Sequence, residues 1–315
     1  MNVKRFLPII GLIILVYILF QFDFNRFFEV INQIPNSLLL LSLGSSIPII
    51  LISNVEWQYL LKKQHIKVSF FYSMKNILIG YFYGFITPGG IGGYIRAGYL
   101  SDKSNEPVEK CLYNICLLNT IDIITLFFIS IIGAFLFSSI YPILFFTLLL
   151  LCIIWIILLI LLIHQNTWIW IIKFIFRFTL FKKYHRWIQT SIITLQTNLP
   201  SKKHIFITII LSIIGWILRF TLFFLILMLF AITMSYIHVI FIIAIANIIS
   251  MIPISIYGLG TRETVLISLF SIFSISPDII IGISLFWFVL IWIIPSISGG
   301  ILSLLEGKTK PIKQS

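Results

Sequence analysis

The sequence predicts an all-α, polytopic membrane bundle with six full spans and two short, re-entrant helix pairs. Three observations carry that expectation. The 315 residues are 60% hydrophobic and only 10% charged, with a mean hydropathy of +1.10, whereas a soluble domain is nearer half apolar and a quarter charged. Six apolar runs, at residues 6–22, 38–55, 111–138, 142–163, 205–232 and 278–305, reach or approach spanning length, which is about 20 residues for about 30 Å of hydrocarbon. The alternating ten-residue segments that a β-barrel requires are missing from the sequence.

Taken in order, the first run follows Lys4 and Arg5 and ends in "QFDFNRFF" without a small-residue cleavage site, so it is expected to stay as an uncleaved span. The loop 23–37, with Arg26, then faces outward, and the loop "EWQYLLKKQHIK" (56–67) faces the cytoplasm with Lys62, Lys63 and Lys67. Residues 164–204 carry Lys173, Arg177, Lys182, Lys183, Arg186, Lys202 and Lys203 with no acidic residue, so they also belong inside. Runs 111–138 and 142–163 leave and return, so residues 70–110 must enter and leave on the cytoplasmic side. The apolar stretches 76–86 and 94–100 are too short for two spans, and half-helices meeting at "TPGGIGG" satisfy the parity. By the same argument residues 238–275 enter and leave from outside, around "IPISIYGLGTRETVLI". Lys308, Lys310 and Lys313 place the C-terminus with the N-terminus in the cytoplasm, in the plasma (inner) membrane. The expected organisation is one transmembrane domain, 1–315, with halves 1–163 and 205–315 joined by the basic linker 164–204. Within it, residues 168–187 interleave aromatic and basic side chains, which suits an interfacial helix or a snorkelling continuation of a span.

The chemistry-bearing residues lie in the two breaks. "FITPGGIGGYIRAGYL" (85–100) places Pro88, Gly90, Gly92 and Gly93 just before Arg96, and "GLGTRE" places Gly258 and Gly260 before Arg262 and Glu263. Glycine allows close backbone approach, a helix N-terminus favours anions, and arginine grips phosphate or carboxylate bidentately. Both segments run Gly-x-Gly, then Arg, then an apolar helix, and the parity places them on opposite faces, as in transporters built from inverted repeats. Close helix packing with a snorkelling Arg96 is the competing account of the same glycines. Asp122 falls about 16 Å into its span at 1.5 Å per residue. Asn119, Asp122 and Thr125 share one helix face, and Arg219 lies at similar depth in the 205–232 run. Charged groups at a helix centre cost about 2.5–3.5 kcal/mol on insertion scales, so each needs a partner or a task.

Other classes find no support. "GKT" at 307–309 lacks the first glycine of a phosphate loop, because position 302 is leucine. The five histidines are scattered without zinc spacing, and Cys111, Cys116 and Cys152 lie in apolar runs as buried thiols. No metal, cofactor, catalytic residue or nucleic-acid partner is expected, and the net charge of +12 fits cytoplasmic loops.

These motifs, with "LLNTIDII" between them, resemble the lysylphosphatidylglycerol synthase transmembrane-region family, the flippase-like domain of multiple peptide resistance factors. The likeness extends over residues 38–305. It implies functional weight on Pro88, Gly90, Gly92, Gly93 and Arg96, on Gly258, Gly260, Arg262 and Glu263, and on Asp122. The chain departs from the family pattern in carrying Leu118 and Asn119 where many members have Glu-Arg, and "SIYG" where the second motif opens Pro-Gly-Gly. The resemblance implies translocation or handling of an anionic lipid, a phospholipid or polyprenyl-phosphate glycolipid, rather than enzymatic aminoacyl-lipid synthesis. A phosphate is then expected between Arg96 and Arg262, with Asp122, Asn119, Arg219 and Glu263 in support. Two alternatives stand beside it: a secondary transporter of a small organic anion with Asp122 as proton relay, and a non-transporting partner that recruits glycosyltransferases or lipid-synthesis enzymes.

Overall fold

Backbone in hydrocarbon must satisfy its own N–H and C=O groups, so a chain of this composition folds into helices. The computed structural model describes residues 44–163, 200–230, 232–251, 258 and 260–306. Among these there are nine helices and no strand. In chain order they are α1 (Ser46–Lys63), α2 (Phe70–Phe85), α3 (Arg96–Ser104), α4 (Val108–Leu136) and α5 (Pro142–Ile163). The second half holds α6 (Lys202–Leu229), α7 (Tyr236–Ser250), α8 (Thr261–Phe270) and α9 (Pro277–Glu306). The protein is an all-α polytopic bundle. Helices α4, α5, α6 and α9 are long and apolar enough to cross a membrane, and they coincide with four of the six expected runs.

The run 38–55 is corrected. Its helix lies further along, at Ser46–Lys63, so residues 56–63 are helical and not the start of a loop. Glu56, Trp57 and Gln58 are buried, at 4%, 0% and 6% exposure. Hydropathy alone ends the span at the glutamate, but burial against protein tolerates a polar face that lipid would not. The span 6–22, the loop 23–37, the interfacial segment 168–187 and Lys308, Lys310 and Lys313 lie outside the described residues.

Each expected re-entrant region is a helix, a break and a shorter helix. Ser69 caps α2 by accepting the Tyr72 N–H, and a 3-10 segment, Pro88–Ile95, joins α2 to α3. Asn105 ends α3 in the left-handed conformation. In the second half, α7 and α8 pack against each other across their break. The lengths recur: 16, 9 and 29 residues for α2, α3 and α4, against 15, 10 and 30 for α7, α8 and α9. The long helix α9 changes to π geometry at Val289–Ile293, where Pro295 lacks the N–H that would bond the carbonyl of Ile291. The helix α5 is apolar all round and largely exposed, as suits a lipid-facing span.

Packing crosses between the halves. The α2 helix lies against the C-terminal part of α9, and α7 lies against α4. Small residues set both approaches. A Cβ at Gly133 of α4 would come within 2.6 Å of Phe241 Cβ on α7, and one at Gly299 of α9 within 1.9 Å of the Leu78 carbonyl oxygen on α2. The latter obstacle is backbone and cannot rotate away. Gly299→Val is therefore expected to cost on the order of 3 kcal/mol, read as a fall in the thermal midpoint of the detergent-purified protein; an unchanged midpoint would contradict this crossing. Tyr83 and Tyr99 meet Ser303, and Lys75 pairs with Glu306 at 3.2 Å, which fixes the end of α9 to α2 and α3.

Candidate functional site

Three helices each turn a polar stripe toward one place. On α1 it is Ser53, Glu56 and Trp57; on α4, Asn119 and Asp122; on α6, Ser212, Trp216 and Arg219. Spacings of three, four and seven residues keep each set on a single helix face. Arg96 joins them from the first turn of α3.

The glycine motif delivers Arg96. Pro88 starts the 3-10 segment, and Gly90 has φ +71°. At Gly92 a Cβ would stand 2.0 Å from the Tyr83 carbonyl oxygen, so only glycine lets the segment fold back onto α2. Thr87 locks the return: its hydroxyl donates to the Tyr83 carbonyl at 2.8 Å and accepts the Gly92 N–H at 2.7 Å. A Cβ at Gly93 would lie 3.3 Å from the Gly80 carbonyl oxygen. The Arg96 carbonyl accepts from Asn76 of α2 at 3.0 Å. Its own N–H is bonded to Gly93 and Tyr94 carbonyls, so what Arg96 offers a ligand is its side chain.

That side chain donates through Nη2 to Asn119 Oδ1 at 2.9 Å and lies 5.1 Å from the Trp57 ring centroid. Trp57 is held by its indole N–H on Asn114 Oδ1 at 2.8 Å, and Asn114 donates to Gln64 at 2.7 Å. Asp122 accepts from Ser212 at 2.5 Å, and its carbonyl accepts from Trp216 at 3.1 Å. Arg219 donates to Ser53 at 2.8 Å with its guanidinium 5.0 Å from the Trp216 ring. The Glu56 carboxyl is hydrogen-bonded to that of Asp122, and both lie within electrostatic reach of Arg96 and Arg219.

Two guanidiniums and two carboxyls thus share one membrane-depth cluster, yet among the described residues no direct ion pair joins an arginine of the cluster to a carboxylate. Each arginine's direct side-chain partner is a neutral amide or hydroxyl. Arg96 Nε and Glu56 Oε1 are buried without a hydrogen-bond partner among the described residues. Arginine's five donors and a carboxylate's lone pairs are normally satisfied when buried, so this cluster is built to take on a further polar group.

The second motif is arranged differently. Gly258 and Gly260 have φ of +74° and +88°. Glu263 caps α8 by accepting the Gly260 N–H at 2.6 Å, and it binds Arg262 at 2.6 Å. Ser284 of α9 donates to Glu263 at 2.6 Å and accepts from Arg262 Nε at 3.1 Å. Arg262 is 2% exposed, and its guanidinium lies 5.3 and 5.1 Å from the Trp287 and Phe288 rings. It is a closed ion pair tying α8 to α9. The two arginines of the repeated motif therefore have separate partner sets: Arg96 with Asn119, Asp122, Glu56 and Arg219, and Arg262 with Glu263 and Ser284. Trp287, stacked on Arg262, donates to the Arg219 carbonyl at 3.2 Å and so touches both.

Sequence reasoning singled out Arg96, Asn119, Asp122 and Arg219, which the structure brings together. It missed Glu56, Ser53, Trp57 and Ser212. The available signal was Ser53, Glu56 and Trp57 at i, i+3 and i+4, hidden because Glu56 was assigned to a loop.

No curated protein matches the chain closely enough to count as a relative. A family profile, the lysylphosphatidylglycerol synthase TM region, matches residues 8–299. With nearly its whole length matched and an all-helical, multi-span architecture, this chain belongs to the lysylphosphatidylglycerol synthase transmembrane-region family, which makes it a membrane protein related to lipid handling.

Proposed function

We propose that this protein translocates or handles an anionic lipid as a flippase-like carrier, without catalysing a covalent reaction. The carrying observation is the Arg96 side chain, at membrane depth, with Nε unpartnered, Nη2 on a neutral amide and Arg219 in the same cluster. A phosphodiester supplies the two oxygens that a guanidinium edge is shaped to bind. Arg96 is the first phosphate contact, with the 3-10 glycines at its back. The Arg262–Glu263 pair sets the matching break in the second half, and rocking of one half against the other alternates access. The membrane is the plasma (inner) membrane, with both termini cytoplasmic, in keeping with the basic loops.

Native mass spectrometry of the detergent-purified protein tests this reading. The wild type is expected to retain an anionic lipid above its share of the bulk. Arg96→Ala is expected to lower that retention about tenfold or more, and Arg96→Lys to restore only part of it. Bulk lipid composition in the wild type would overturn the assignment.

A further inference from the structure

Resting on that reading, the central cluster also assigns an energetic role to Glu56. Two carboxyls joined by a hydrogen bond hold a proton between them, because an ionised carboxylate only accepts. Glu56 and Asp122 stand in that relation, from different helices, in a bundle interior. Glu56 is 4% exposed, and its second oxygen, Oε1, points into the cluster unpartnered. The groups facing Glu56 are Asp122 from α4, Arg96 from α3 and Arg219 from α6. The α2 helix and the 3-10 segment add only the phenols of Tyr81 and Tyr94, and α4 adds the Cys116 thiol, all acting on Arg96.

The charge count then has a consequence. Two guanidiniums against a carboxyl pair that shares one proton leave a single positive charge uncompensated. Isolated charge at membrane depth is unfavourable, and a monoanionic phosphodiester cancels this one. If the pair loses its proton the cluster is neutral without any ligand, and an entering anion leaves a net negative charge beside two carboxylates.

We infer that the Glu56–Asp122 pair binds one proton together with each anionic phosphate, so that the headgroup is taken up as an electroneutral unit and a transmembrane proton gradient can drive its movement. The proton comes from the aqueous side to which the cluster is open and leaves with the phosphate on the other. No covalent bond changes. By reciprocity, low pH tightens phosphate binding and bound phosphate tightens the proton.

The test is calorimetric titration of the full-length, detergent-purified protein with dihexanoyl-phosphatidylglycerol, and separately with dimethyl phosphate, which stays monoanionic throughout. Each titration is run from about pH 5 to about pH 9 in buffers of different ionisation enthalpy, which reports protons taken up per ligand. The wild type is expected to take up about one proton per lipid at the high end, with affinity weakening by up to about tenfold per pH unit there. Glu56→Gln removes the shared proton, so uptake falls to zero and the profile flattens.

Proton uptake with both ligands supports coupling at a site that accepts free phosphodiester anions. Uptake with the lipid alone supports coupling at a headgroup site. Lipid binding with a flat profile and no proton uptake in the wild type overturns this inference and leaves the anionic-lipid reading standing. Absence of binding by either ligand at every pH overturns both. The wild-type measurement decides the matter even where Glu56→Gln fails to fold.

Discussion

Glu263→Ala is expected to destabilise the protein by about 3–5 kcal/mol, enough to prevent recovery of a monodisperse species after detergent extraction. The substitution strands the Arg262 guanidinium, 2% exposed, with Ser284 as its remaining hydrogen-bonding side chain. It also frees the Gly260 N–H at the start of α8, which Glu263 now accepts at 2.6 Å. A lost cap adds roughly 1 kcal/mol, and the stranded buried charge supplies the rest. Glu263→Gln keeps the cap acceptor but not the charge and is expected to fall between. The paired change Glu263→Gln with Arg262→Met removes both charges and should recover most of the loss, since breaking a buried pair is worse than replacing it. Size-exclusion profiles and thermal midpoints of the three variants check the order. Equal stability of Glu263→Ala and wild type would mean that the second motif is not held by this pair.

Trp57→Ala is expected to cost about 3–5 kcal/mol and, in whatever fraction stays folded, to release Arg96. Trp57 is 0% exposed, packs in the core cluster around α1 and α4, and presents its ring to the guanidinium at 5.1 Å. The indole N–H holds Asn114, which in turn donates to Gln64 near the end of α1. Trp57→Phe separates the two duties. It keeps an aromatic face toward Arg96 but leaves Asn114 Oδ1 without that donor, at a cost of about 1–3 kcal/mol. Lipid retention per folded molecule should then survive in Trp57→Phe and fall in Trp57→Ala. If both retain lipid equally, the ring does not position Arg96.

How much of this was legible in the sequence depends on what surrounds each helix. Helices α4, α5, α6 and α9 were readable because hydropathy alone identifies a segment that meets lipid. The C-terminal part of α1 was not, because Glu56 and Gln58 face protein, and a hydropathy reading treats buried polarity as solvent. Asp122 and Arg219 stood out for the opposite reason: each interrupts a long apolar run. The two Gly/Arg motifs looked alike, yet their chemistry diverges one residue later. Arg262 is followed by Glu263, which neutralises it, whereas Arg96 is followed by Ala97 and must find its company on other helices. That difference is written in "TRET" and "YIRAGY", but the identity of the distant company, Glu56 above all, depends on tertiary packing that no local spacing encodes. The family's Glu-Arg before the aspartate is absent at Leu118 and Asn119. Here an acid and a base reach Asp122 from α1 and α3 instead, so similar charges assemble from different helices.

The exchanged packing of α2 on α9 and α7 on α4 bears on how such a chain can be divided. Neither half keeps the surface that its own short helix needs, because the groove for α2 is made after residue 276 and the groove for α7 before residue 137. Two fragments cut anywhere in 164–199 and produced in the same cell should therefore find each other and rebuild one bundle, while either fragment alone should be cleared by quality-control proteolysis. A gene encoding this architecture can be split and rejoined, but it cannot be shortened by half.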